Sequence, residues 1–323
     1  MTNIIKYSLS NPNSSIMIIE NGYINNNTIS INPNIVDKIF LPTMYQSWTT
    51  TQKSHIKFNT SNTDDINVKN DILYIFDTWG ISSYYHLLID HIIPVWITKQ
   101  YIEKYLLENN VHFENSQYLR ISNNNYQDEL STSNDIFKYF LKDNYKDNIC
   151  GKYKYIIYGY CYTYRPYHGG NILYYENYQN IFNSFIEKYN HINLTQTKKY
   201  IIIPDRENRN YNKIEDIYLS LCKNYNVMKV DFSKYQINEQ INLCSCAYAL
   251  IGCEGAAFTN QIFMNKKSLI ISICPESEVN RNKFHSSIAK YMNHDFNTIT
   301  FNDKSNINDI INNINFIIEN YLK

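Results

Sequence analysis

Several things are missing from this sequence, and each absence narrows its class. It has no net charge: Lys plus Arg and Asp plus Glu stand at 30 each. Nothing in that balance draws the chain to nucleic acid or to a membrane surface. No apolar run approaches the roughly 20 residues needed to cross a bilayer. No basic stretch followed by an apolar core opens the chain, so a signal peptide is not expected. The expected location is therefore cytoplasmic. Seven cysteines, an odd number, lack paired spacing, which argues against a disulfide framework and for a reducing compartment. Cys244-Ser-Cys246 is too close for a zinc clip and no second pair answers it, so small buried residues are the expectation there and no metal is called for. Glycine and proline are scarce, at 8 and 7, while Tyr reaches 31. Together with abundant Asn, Ile and Lys this reads as the codon bias of an AT-rich genome, such as that of a protist or a large DNA virus, and not as function.

What is present is enough apolar residue, 44 % of 323, to bury a core, and enough length for two domains. The stretch from Ala247 to Phe263 organises the rest. Ala247–Ile251 is a short apolar run long enough for a buried strand. Gly252 and Gly255 flank Cys253 and Glu254, and a helical pattern runs on through Phe263. Strand, glycine turn and helix N-terminus present free backbone N–H groups to an anion, and glycine permits positive φ and close approach of a ligand. A second strand, Ser268–Ile273, follows at once. The unit is β-α-β, with ligands expected beyond the carboxyl ends of the strands. The competing reading is a tight turn between core elements that binds nothing.

Elsewhere the pattern predicts short strands and turns over residues 1–45, a strand at Asp71–Phe76, and a helix opening at Ser82 or Ser83 and running to about Glu108. Pro94 should kink that helix or mark a fresh start. His86 and Asp90 stand four apart and share a helix face, with Leu87, Leu88 and Val95 available to the core. They either line a cleft or merely cap and solvate the helix. Further strands are expected at Tyr118–Ile121 and Tyr153–Tyr164, and helices at Asp135–Leu141 and Asn171–Tyr189. A new βα series follows: strand 198–203, exit loop Pro204–Arg209, helix Ile214–Lys223, strand Val227–Val230 and helix Ile237–Cys246. Glu215 and Asp216 stand in a first turn where the helix dipole favours acids. A terminal helix covers Asn308–Tyr321.

Three pieces, in order, resemble glycosyltransferase family 61, which includes O-linked N-acetylglucosaminyl- and xylosyltransferases. The first is Tyr84-Tyr-His-Leu-Leu-Ile-Asp90 with Pro94. The second is Tyr200-Ile-Ile-Ile-Pro-Asp-Arg206 with Arg209, Asn212 and Glu215. The third is Gly255-Ala-Ala-Phe-Thr-Asn260. The chain departs from the family pattern at Glu254, where His is usual, and at Ala257, often Gly. A carboxylate beside a diphosphate is repulsive unless it is neutralised or meets a hydroxyl.

The resemblance implies an α/β fold of GT-B type, two Rossmann-like domains facing across a cleft, divided as 1–190 (acceptor) and 191–323 (donor). The terminal helix is free to cross back to the first domain. It implies no obligatory metal, and the sequence agrees in holding no Asp-X-Asp triplet. The implied reaction is inverting transfer from a nucleotide sugar, UDP-linked, to a hydroxyl of a glycan or glycoprotein, with a hexosyl or pentosyl group moved and no further cofactor. Asp90 would be the base and His86 its partner. Arg206, Arg209, Glu254, Gly255, Ala256, Thr259 and Asn260 would bind the donor. Glu276 and Glu278 either bind ribose hydroxyls or are solvated loop charges. Two other functions fit the same scaffold: a transferase adding a non-sugar group to a polysaccharide, and a non-catalytic nucleotide- or glycan-binding protein.

Overall fold

The structure is a computed structural model that describes residues 4–8, 15–25, 28–31, 57–60, 66–78, 84, 86–122, 130–141, 145–146, 149–158, 184–185, 187–189, 200–205, 213–302 and 304–323. The chain divides into two compact units, residues 1–163 with 172–182, and residues 164–171 with 183–323. Each has its own sheet.

The first unit holds strands β1 (Ile4–Ser8), β2 (Ser15–Asn25), β3 (Thr28–Ile31), β4 (Lys57–Thr60), β5 (Val68–Thr78), β6 (Asn115–Ser122), β7 (Tyr145–Lys146) and β8 (Cys150–Tyr158). Their order is β4-β3-β2-β8-β5-β6-β7, with β1 also paired to β2. The sheet is mixed. β8, β5, β6 and β7 run parallel, while β2 runs antiparallel to β8, β3 and β1. Chain length explains the mixture. Only Asn26 and Asn27 separate β2 from β3, which suits a hairpin, whereas a parallel return needs a crossover of a dozen residues or more. Between β5 and β6 there is room for such a crossover. It consists of a π-helix, His86–Ile92, followed by helix α1 (Ile93–Glu108). Pro94 is the second residue of α1, which directly follows the π-helix, and Ile92 at the junction is itself helical (φ −62°, ψ −50°), so helical backbone runs on through the proline. Leu87, Leu88 and Val95 are buried as expected. Helix α2 (Leu130–Leu141) follows β6, and its Phe137 ring lies 5.7 Å from that of Phe76 on β5. The proposed caps Ser82 and Ser83, most of the 171–189 helix and the end of the 153–164 strand lie outside the described residues.

The second unit is a parallel five-stranded sheet: β9 (Tyr200–Pro204), β10 (Val227–Val230), β11 (Ala247–Cys253), β12 (Leu269–Pro275) and β13 (Asp295–Phe301), ordered β10-β9-β11-β12-β13. This is the flavodoxin-like doubly wound order, in which the direction of strand progression reverses between the first and third strands of the unit. The apolar runs at 249–251 and 269–271 are wholly buried, as strands covered on both faces must be. On one face lie α3 (Ile214–Leu221) and α6 (Ile307–Leu322). Ile214, Ile217 and Leu221 join Ile310, Ile314 and Ile318 in a common core with Ile201, Ile203, Ile251 and Ile271. On the other face are α4 (Ile237–Cys246), the segment Ala256–Phe263 and α5 (Lys283–Tyr291). The terminal helix packs on the sheet of its own unit. Its Tyr321 hydroxyl donates to the carbonyl of Lys267 at 2.7 Å, and the Tyr321 ring stacks with Tyr248.

The helix expected after Gly255 is a 3-10 helix over Ala256–Phe263, not an α-helix. A 3-10 helix rises about 2.0 Å per residue against about 1.5 Å for α. The chain must return from the top of β11 to the foot of β12 within a short connection, and the tighter helix covers that distance with fewer residues. Thr259, Asn260 and Ile262 are also weak α-formers.

Gly252 has φ 157° inside β11, and a Cβ there would stand 3.2 Å from Pro204 Cδ. Gly252→Ala is therefore expected to cost about 1–3 kcal/mol, read as a lowered urea midpoint. An unchanged midpoint would show that the strand absorbs the methyl. Gly255 has φ 161°, which is extended backbone open to any residue, so the positive φ expected of both glycines is found only at the first.

Candidate functional site

In a doubly wound sheet the crevice lies outside the carboxyl ends of the strands where the order reverses. Here those ends belong to the neighbours β9 and β11. β9 delivers Pro204 and Asp205, and β11 delivers Cys253, Glu254 and Gly255. Asp205 is fixed on both sides. Its N–H donates to the carbonyl of Val230 at 2.8 Å. Its carboxylate stands 3.5 Å from Lys229 Nζ, which also meets Glu215 Oε2 at 2.6 Å. The chain thus leaves β9 in a set direction just before Arg206. Arg206 and Arg209 themselves lie outside the described residues.

Glu254 is half-buried at the top of β11. Burial, and next the charge of Glu278, push its carboxyl up to about 8. It therefore holds its proton at neutral pH and can donate a hydrogen bond. Glu278 comes from the segment Glu276–Asn282 beyond β12. Adjacent parallel strands bring together two carboxyls that are remote in sequence. Glu276 is exposed, and its Oε1 accepts from Asn302 Nδ2 at 3.0 Å.

Gly255, Ala256, Thr259 and Asn260 follow directly as the start of the 3-10 helix. Gly255 and Ala256 are part-exposed, while Thr259 and Asn260 are wholly buried. Asn260 Nδ2 donates to Gln240 Oε1 on α4 at 3.1 Å. The lower end of the segment is held by His294. Its Nδ1 accepts from the N–H of Ser268 at 3.2 Å, so its Nε2 carries the hydrogen toward the carbonyl of Gln261, 2.9 Å away. Among the described residues, none is placed to hydrogen-bond the buried side chains of Thr259, Gln261 and Ser272. Sequence reasoning missed Gln240, His294 and the meeting of Glu254 with Glu278.

In the first unit, His86 and Asp90 lie on the backbone of the π-helix. A π turn holds about 4.4 residues, so residues four apart remain close around its axis. π-helical turns are rare and recur at functional sites. His91, in the same turn, is completely buried, a residue that the sequence motif did not single out.

Among the described residues, no group of three or more His, Cys, Asp or Glu is placed to hold a metal ion. None of their helices is long and apolar enough to cross a membrane.

A parallel five-stranded sheet in this order, with helices on both faces, places the second unit in the doubly wound α/β class. The family model Glycosyltransferase 61 matches residues 84–271, more than half of the chain, and the protein belongs to that family. The match begins at the Tyr84 motif and ends within β12. No curated protein matches the chain.

Proposed function

We propose that the protein is an inverting, metal-independent glycosyltransferase. It would move a hexosyl or pentosyl group from a UDP-linked sugar to a hydroxyl of a glycan or glycoprotein. One observation carries the placement of the donor. Motif residues 200–204 form β9, and motif residues 255–260 follow the carboxyl end of its neighbour β11, the place where this strand order binds ligands. In this reading the first unit is the acceptor domain and the second the donor domain of a GT-B enzyme.

The acceptor oxygen attacks the anomeric carbon as the bond to the diphosphate breaks. The bonding pair leaves with the nucleoside diphosphate, and the hydroxyl proton passes to the Asp90 carboxylate, with His86 orienting the base or the acceptor. Arg206 and the N–H groups around Gly255 and Ala256 meet the leaving charge, and Arg209 adds a second guanidinium. The protonated state of Glu254 supports this reading, because a neutral carboxyl does not repel a diphosphate. It can instead donate to a ligand oxygen. Thr259 and Asn260, both buried, serve the site by shaping the segment.

Arg206→Ala is expected to weaken binding of uridine diphosphate by roughly tenfold or more. That is the worth of one charge-assisted hydrogen bond, and the melting temperature should hardly move. Titration calorimetry without added metal measures it. Equal affinity in both proteins would remove Arg206 from the donor site.

A further inference from the structure

We infer that Gln240 is a positioning residue for the donor site, fixing the 3-10 segment whose first amides face the leaving diphosphate. The inference rests on the reading of that segment as the donor site. Gln240 stands on α4, one turn from its start, and is buried. Its Nε2 donates to two backbone carbonyls, Phe232 and Tyr235, each at 3.0 Å. Both belong to the connection between β10 and α4, at the carboxyl edge of the sheet. A carbonyl only accepts, so these two oxygens fix which end of the Gln240 amide points toward them. Oε1 must face the other way. There it meets Asn260, which can only present Nδ2, at 3.1 Å. Backbone geometry at one strand exit therefore dictates the orientation of a motif side chain at another, through a single buried amide.

The relay ties two neighbouring loops of the crevice, and only an amide of this length has both a donor and an acceptor to do so. Lys or Glu at this position would lose one half, and an apolar side chain would lose both. Other holds on the segment are the ring of Phe258, buried and 5.7 Å from that of His285, His294 at Gln261, and just beyond it Asn265 Nδ2 donating to the Ser245 carbonyl at 2.7 Å. Near the upper end, the Asn260–Gln240 bond adds a polar, directional tie to the packing of Phe258.

The test is Gln240→Met, which keeps length and volume while removing all three hydrogen bonds. Two quantities are measured on the full chain: affinity for uridine diphosphate by calorimetry, and amide hydrogen exchange at residues 258–264. The variant is expected to bind about tenfold more weakly and to exchange these amides about tenfold faster. Asn260→Ala should produce a similar loss, and the double variant little more than either alone, because both act through one bond. Additive losses, or an affinity equal to wild type, would overturn the assignment. If wild type itself binds neither uridine nor guanosine diphosphate, the donor reading fails, and the exchange comparison alone decides the lock. Unchanged exchange overturns it, while faster exchange confined to 258–264 sustains it. Should Gln240→Met not fold, Gln240→Glu keeps the acceptor and loses the donor, and the same two measurements apply.

Discussion

Asp90→Asn is expected to lower sugar transfer by about 10²–10⁴-fold, the usual worth of a positioned general base. Asparagine keeps the shape and most of the hydrogen bonding of the carboxylate but cannot take a proton. The affinity for uridine diphosphate should be unchanged, since the segments proposed to hold the donor belong to the second unit. His86→Ala should cost less, or act mainly on the acceptor KM, if the imidazole only orients. A structural role for the pair predicts the opposite pattern. Both variants would then melt at lower temperature, and the fraction still folded would turn over normally. Measuring turnover and melting temperature on each variant separates the two. Full activity from a stably folded Asp90→Asn would end the proposed chemistry.

The second large effect concerns pH. Glu254 ionises near 4.5 in the unfolded chain and near 8 in the folded one. A raised value means that the folded state binds the extra proton between these limits. The stability this group contributes is therefore complete below about 4.5 and is lost as pH rises toward 8. Glu254→Gln cannot ionise and should escape the loss. A shift of this size would be worth about 5 kcal/mol if fully felt. Water still reaches a half-buried carboxyl, which reduces the figure to roughly 2–3 kcal/mol. Urea denaturation of both proteins at pH 5 and pH 9 should show similar stability at the lower value and a more stable Gln variant at the higher. The same ionisation should weaken nucleotide binding above pH 8 in wild type only. Parallel pH profiles would show that Glu254 is not held neutral.

Most of the second unit was legible in the sequence because strands β9 to β12 are short, largely apolar and separated by polar turns. Val227–Val230 and Ile237–Cys246 were placed to the residue, and β9, β11 and β12 within about two. Strand β13 was not, because only Ile299 of its seven residues is buried, and an edge strand of that kind carries no apolar signature. Helix α5 hides in the same way behind Lys, His and Ser. In the site, Glu254 was conspicuous beside two glycines, but its partner Glu278 lies 24 residues on and becomes its neighbour only when β11 and β12 pair. Gln240 looked like any polar residue on an amphipathic helix. Only the folded chain shows that carbonyls at 232 and 235 turn toward it. The π turn was invisible for another reason. Residues four apart stay close in both α- and π-geometry, so the His86–Asp90 spacing cannot tell them apart.

That turn makes chain length, more than residue identity, the quantity to which the first motif is sensitive. A π turn is an α-helix with one residue too many. Deleting a single position among Leu87, Leu88 and Ile89 would let the ladder close as α and leave helix α1 as it is. Everything upstream would then advance about 1.5 Å and swing about 100° around the axis. Tyr84 and His86 would be carried round with it, while Asp90 stayed with the helix that follows. Homologues that differ by one residue here would keep every letter of the motif and lose the arrangement of its members.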